Sequence, residues 1–204
     1  MPRLTREESR QQTRQSLLDA AARTFAERGF HGTSVDQIAE AAGFTKGAVY
    51  ANFGSKDELF LTLLDRHTEQ ELQALTPSEG QALDITALIQ AQEAGLLDAS
   101  EEERRWSLLT LEFYLYAMRV PAVREKVAER YRTLREKLAA LFEAHFAASG
   151  QTPRLMPEAL AWVMLGLASG LSLQADLEPE RVPRQLLRQV TEVLLDAREA
   201  SSKG

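Results

Sequence analysis

Apolar residues along this chain recur at helical spacing almost throughout, and the polar residues between them mark where helices start and stop. From Gln12 to Arg28, Leu17, Leu18, Ala21, Ala22 and Phe25 share one face, and Gly29 ends the run. Ser34 with Gln37 forms a capping box ahead of Val35, Ile38, Ala39 and Ala42. Gly43 stands where a left-handed residue closes a helix, and Thr45 caps the next segment. In that segment only Val49 and Phe53, four apart, can point inward. A further box, Ser55 with Glu58, opens a helix with Leu59, Leu63 and Leu64 on one side. It is expected to run to about Leu75, before Pro77 and Gly80.

Beyond Gly80 the pattern stays helical, with no alternating β-branched run and no Asn-Gly hairpin. A weak helix is predicted over 82–98 and a strong one over 102–119. The latter carries Trp106, Leu109, Phe113 and Tyr116 on one stripe and Leu108, Leu111 and Leu115 on another, so burial on all sides is expected. Pro121 marks the next boundary. From Val127, Tyr131, Leu134, Leu138, Leu141 and His145 follow at 4, 3, 4, 3, 4, a bundle seam ended by Gly150 and Pro153. Helices over 157–175 and 183–198 complete an all-α chain of about nine helices. Its expected organisation is a three-helix domain over 1–54 followed by a helical bundle over 55–204.

Two short helices joined by a tight glycine turn make a helix-turn-helix. With Val49 and Phe53 inward, a rotation of about 100° per residue turns Gly47, Ala48 and Ala51 outward. Small outward residues let a helix axis come close to another surface, such as the floor of a DNA major groove. Thr45, Lys46, Tyr50 and Lys56 would then reach phosphates, Asn52 a phosphate or a base edge, and the alanines thymine methyls. Spacing alone fits a helical hairpin inside an all-α core equally well.

The stretch resembles the DNA-binding segment of the tetracycline-repressor (TetR) family of bacterial transcription regulators. The resemblance is carried by Ser34-Val35-Asp36-Gln37-Ile38-Ala39, Ala42-Gly43-Phe44-Thr45-Lys46-Gly47 and Tyr50-Ala51-Asn52-Phe53-Gly54-Ser55-Lys56. It extends upstream through Ala20-Ala21, Phe25, Gly29-Phe30 and Gly32-Thr33, and so covers about the first third of the chain. It implies a repressor released from a palindromic operator by a small-molecule effector, with Thr33 and Ser34 joining the residues that meet double-stranded DNA. Many members carry a larger polar residue or His at the positions of Ala51 and Asn52. The helix from Lys56 is, by the same resemblance, the element that moves on effector binding.

Leu160, Val163, Leu167 and Leu171, flanked by Gly166, Ser169 and Gly170, and Leu186, Val190 and Val193 form stripes suited to close helix packing. They either complete the core or form a homodimer interface; the resemblance favours the interface, through the last two long helices. It also implies an effector cavity among the middle helices, for which Trp106, Phe113, Tyr116 and Trp162 are candidates. Glu112 sits one turn from Leu108 and Tyr116, where an unpaired carboxylate is costly. Its alternatives are an arginine from 124–137 or a cationic ligand.

Composition narrows the remaining classes. There is no Cys, which excludes disulfides and thiolate chemistry. The three histidines lie far apart and no HExxH, GxSxG or glycine-rich phosphate loop occurs, so no enzyme, metal or cofactor is expected. The net charge of −6 lies wholly beyond residue 67, since residues 1–67 hold nine Lys/Arg and nine Asp/Glu. Arg3, Arg6, Arg10 and Arg14 suit either a flexible basic arm or a solvated tail. The opening lacks an apolar signal core. The longest uncharged run, between Glu158 and Asp176, is short of the roughly 20 residues a membrane span needs. A cytoplasmic protein is expected. The alternatives to an effector-released repressor are a ligand-independent or activating regulator and a helical scaffold for protein partners.

Overall fold

The computed structural model describes residues 5–75, 100–178, 180–181, 183 and 185–195. Among them are eight helices and no strand: α1 (Arg6–Gly32), α2 (Val35–Ala42), α3 (Lys46–Phe53), α4 (Lys56–Leu75), α5 (Glu101–Arg119), α6 (Pro121–Ser149), α7 (Pro157–Leu177) and α8 (Leu186–Leu195). The all-helical class is as expected; the helix predicted over 82–98 lies outside the described residues. The chain divides into two compact units. One is drawn from Met1–Gln70 and Arg105–Val127, the other from Glu71–Arg104 and Ala128–Gly204.

In the first unit α1 begins earlier than its apolar run predicts. Thr5 accepts from the Glu8 N–H and Glu8 reaches back to Thr5, a capping box that starts the helix at Arg6. Arg6, Arg10 and Arg14 therefore belong to a helix and not to a flexible arm. Gly29 interrupts α1 at φ +72, ψ 172, and one further turn follows to Gly32. The core gathers Leu17, Phe25, Phe30, Ile38, Leu59 and Phe60 from α1, α2 and α4 with Phe113 from α5. Phe113 lies tilted against Phe60 at 4.4 Å and edge-on to Phe30 at 4.9 Å, centroid to centroid. Each fully buried ring stabilises by about 1.5–3 kcal/mol relative to exposure. The N–H of Glu58, the third residue after Ser55, donates to the Ser55 hydroxyl oxygen, while the Glu58 carboxylate pairs with Lys126 of α6.

α5 departs from its expected all-round burial. Leu109, Phe113 and Ala117 are buried, whereas Leu108, Leu111, Leu115 and Met118 remain exposed. One face of this helix meets the aromatic cluster, and that face alone satisfies the core.

In the second unit Leu138, Ala139, Phe142 and Phe146 of α6 pack against Leu160 and Ala161 of α7. The expected seam through Leu141 and His145 is displaced by one residue, so that the two phenylalanine rings enter the core. A straight helix of 3.6 residues per turn drifts from a 3.5-residue repeat, and the largest apolar groups decide the register. α7 starts with Pro157 at its first position, where a missing N–H costs nothing. At 21 residues and mean hydropathy 1.3 it is long and apolar enough to cross a membrane, beyond what the uncharged run alone predicts. Only 22% of that stretch is buried within the chain.

Candidate nucleic-acid interface

The helix-turn-helix is built by local hydrogen bonds. Ser34 caps α2 and exchanges bonds with Gln37, as the sequence predicts. At its other end Gly43 adopts φ +72, ψ 28, and the Phe44 N–H bonds back to the Ala39 carbonyl at 2.9 Å. No heavy atom lies within 4 Å of a Cβ placed on Gly43, so the glycine is required by its dihedral alone. Thr45 then caps α3 through the Ala48 N–H.

Val49 and Phe53 are buried and anchor α3; Lys46, Gly47, Tyr50 and Ala51 are exposed, and Ala48 is half-buried. A Cβ on Gly47 would meet nothing closer than Thr45 Oγ1 at 3.7 Å, so packing within the chain does not demand a glycine there. Lys46 bonds Asp36 at 2.8 Å, with both side chains exposed. The hydrogen bond to Asp36 is the largest cause holding the Lys46 pKa above its ordinary value, and Coulomb attraction to the same carboxylate adds to it. Asn52 is half-buried, and its amide donates to the Ala48 carbonyl.

The far end of α3 is held from α1. Arg14 donates to the Asn52 carbonyl at 2.8 Å and lies 4.3 Å over the Phe53 ring. Sequence reasoning missed this role because the partners are 38 residues apart and nothing local announces the pairing.

Two residues expected at the DNA are turned inward. Thr33 is buried, and its hydroxyl donates to the Gly29 and Thr24 carbonyls at 2.8 and 3.2 Å. Lys56 donates to the Phe30 and Thr33 carbonyls at 2.9 and 3.0 Å and lies 4.3 Å over the Phe30 ring. Burial pushes the Lys56 pKa down, against the opposing pull of Asp57 and Glu112. Backbone carbonyls at the end of α1 hold both side chains.

The residues expected around an effector also find other work. Trp106 stacks on Phe60 and on His67, and Phe113 is fully buried. The Tyr116 hydroxyl lies 3.4 Å from Asp57, while Glu112 accepts the backbone N–H groups of Phe30 and His31. These four lie in the first unit, with Phe113 fully buried and Trp106, Glu112 and Tyr116 half-buried. Trp162, in the second unit, is 62% exposed beneath the Arg135 guanidinium at 3.8 Å. An open depression of ≈ 200 Å³ in that unit is lined by Leu171, Gln174, Leu177, Glu178, Arg181 and Leu186 among others, and by none of the five expected residues.

Of the expected dimer residues, Leu160 and Leu171 are buried inside their own chain, so they serve its core. Leu167, Leu186 and Val190 are half-buried, and Val163 and Val193 are exposed. The exposed side of α7 carries Trp162, Gly166, Ser169, Leu173 and Leu177.

Comparison with known proteins agrees with this geometry. Residues 17–63 match the family described as bacterial regulatory proteins, tetR family, and residues 85–198 match BetI-type transcriptional repressor, C-terminal. The HTH-type transcriptional regulator AcrR of Shigella flexneri is 32% identical over 183 residues, 84% of this chain and 81% of that protein. The HTH-type transcriptional activator FasR of Mycolicibacterium smegmatis is 45% identical over 67 residues, 33% of this chain and 29% of its own. The solved structure of Salmonella enterica GusR shares 29% identity at a TM-score of 0.72, covering 95% of this chain and 99% of that one. The chain belongs to the TetR family of bacterial regulatory proteins and is a helix-turn-helix, DNA-binding transcription regulator.

Proposed function

We propose that the chain is a homodimeric repressor in the cytoplasm, in which α3 enters the DNA major groove and a small effector releases it. The observation that carries the DNA reading is the outward face of α3. Gly47 and Ala51 are exposed, no described neighbour of Gly47 needs a small residue there, and a helix so faced can sit close to base edges. Lys46 and Tyr50, both exposed, would meet phosphates beside that face, with Thr45 and Ser34 at the helix starts. Residues 1–54 carry this work, and 55–204 sense and dimerise.

The dimer reading rests on α7. Its exposed side combines Trp162, Leu173 and Leu177 with Gly166 and Ser169, which allow close approach of a second helix. Gln174 and Asp176 on the same helix favour a protein partner over lipid. Val163 and Val193 are exposed as well, and two-fold pairing would present two copies of α3 to a palindromic site. Repression is supported by the description of the matched C-terminal region as that of a repressor.

Selection from random duplex DNA, followed by titration of the winner at several salt concentrations, tests the proposal. An inverted repeat with half-sites about one helical turn apart is expected. A reporter placed behind that site gives the sign of regulation, and release by added compounds identifies an effector. No enrichment at low salt overturns the reading.

A further inference from the structure

The corner between α1 and α2 is gripped from three sides. Gly29 leaves the helical region, and the N–H groups of Phe30 and His31 are taken by Glu112 of α5, each at 2.9 Å. The carbonyls of Phe30 and Thr33 are taken by Lys56 of α4. Thr33 turns its hydroxyl back to the Thr24 and Gly29 carbonyls of α1. The next residue, Ser34, is the cap of α2, and the glycine turn at Gly43 joins α2 to α3. Whatever fixes this corner therefore fixes the start of the helix-turn-helix.

Gly29 is part of the same device. A Cβ there would lie 2.7 Å from Glu112 Oε2, closer than side-chain carbons come to an oxygen, and the φ of +72 is itself unfavourable for other residues. The carboxylate reaches the two N–H groups through the space that glycine leaves. A half-buried charge held by two backbone donors is a strong, directional contact. A shift of α5 by about 1 Å would carry both bonds beyond hydrogen-bonding range.

We infer that Glu112 is a positioning residue for the recognition helix, acting through the corner it holds jointly with Lys56, so that displacement of α5 is felt at α2 and α3. This rests on the reading of α3 as the DNA-facing helix. It assigns Glu112 to the backbone of the corner, where each of its oxygens accepts one N–H. Lys56 becomes its counterpart on the carbonyl side instead of a phosphate contact.

The test uses the full chain and three variants, Glu112→Gln, Lys56→Gln and Gly29→Ala. Each is titrated with the selected operator and with a random duplex of equal length, at temperatures where circular dichroism shows it folded. Operator affinity is expected to fall at least tenfold in all three, with random-duplex affinity changed by less than about threefold. The salt slope of Lys56→Gln should match the parent, whereas loss of a phosphate contact would lower it by about 1. Folded Glu112→Gln with operator affinity within twofold of the parent overturns the role, as does a Lys56→Gln variant that weakens both duplexes equally. A parent chain without sequence preference overturns the DNA reading itself, and this role with it.

Discussion

The aromatic centre of the first unit and α7 of the second are both strongly apolar in sequence, yet they end differently. Phe25, Phe30, Phe60 and Phe113 are covered by one another and are at most 1% exposed. α7 keeps Trp162, Leu173 and Leu177 at 62, 44 and 73% exposure. In the first region the chain supplies its own partners from α1, α4 and α5. In the second, α6 and α8 cover part of the helix, and the rest stays exposed among the described residues. Apolarity in a sequence announces that a surface will be covered without saying by which molecule. The exposed side of α7 is the place a second copy fits under the proposed function, whereas the four rings of the aromatic centre are closed over by their own chain.

That contrast can be broken in order of effect. Phe113→Ala removes a ring from the closed centre and should cost about 3–5 kcal/mol, seen as a lower midpoint in chemical denaturation. Leu173→Glu should leave each chain folded by circular dichroism but halve its mass in sedimentation. Operator affinity should drop on the order of 100-fold, because one half-site is lost. Leu160→Ala sharpens the comparison from the other side: buried in its own chain, it should lower stability by about 2–5 kcal/mol while the folded protein stays dimeric. Lys46→Ala should weaken operator and random duplex about tenfold or less and reduce the salt slope by about 1, read by anisotropy titration. The smallest effect is Ser34→Ala, which removes the α2 cap and should cost about 1 kcal/mol in thermal or chemical unfolding.

The helix-turn-helix was legible because its determinants are local. Ser34 with Gln37, Gly43 and Thr45 act over three to five residues, and Val49 with Phe53 fixes which side of α3 faces out. The helix from Lys56 to Leu75 was legible for the same reason. What the pattern could not convey depends on distant pairings. Glu112 meets Phe30 across 82 positions, and Lys56 meets it across 26, so a lysine at a helix start looked free for phosphate. Arg14 looked like part of a basic arm until the Asn52 carbonyl and the Phe53 ring gave it a place. On α7, Leu160 and Leu171 share a line with Val163 and Leu167 in projection, yet the first pair is buried while Leu167 is half-buried and Val163 exposed; which residues of one apolar stripe are covered leaves no periodic mark.

Sedimentation of the full chain, alone and with its selected operator, decides whether α7 pairs two copies. Twice the chain mass is expected in the tens-of-micromolar range, with the chain mass for Leu173→Glu at unchanged helix content, and two chains on each operator. A parent that sediments as a monomer, or binds its site as one chain, contradicts that pairing.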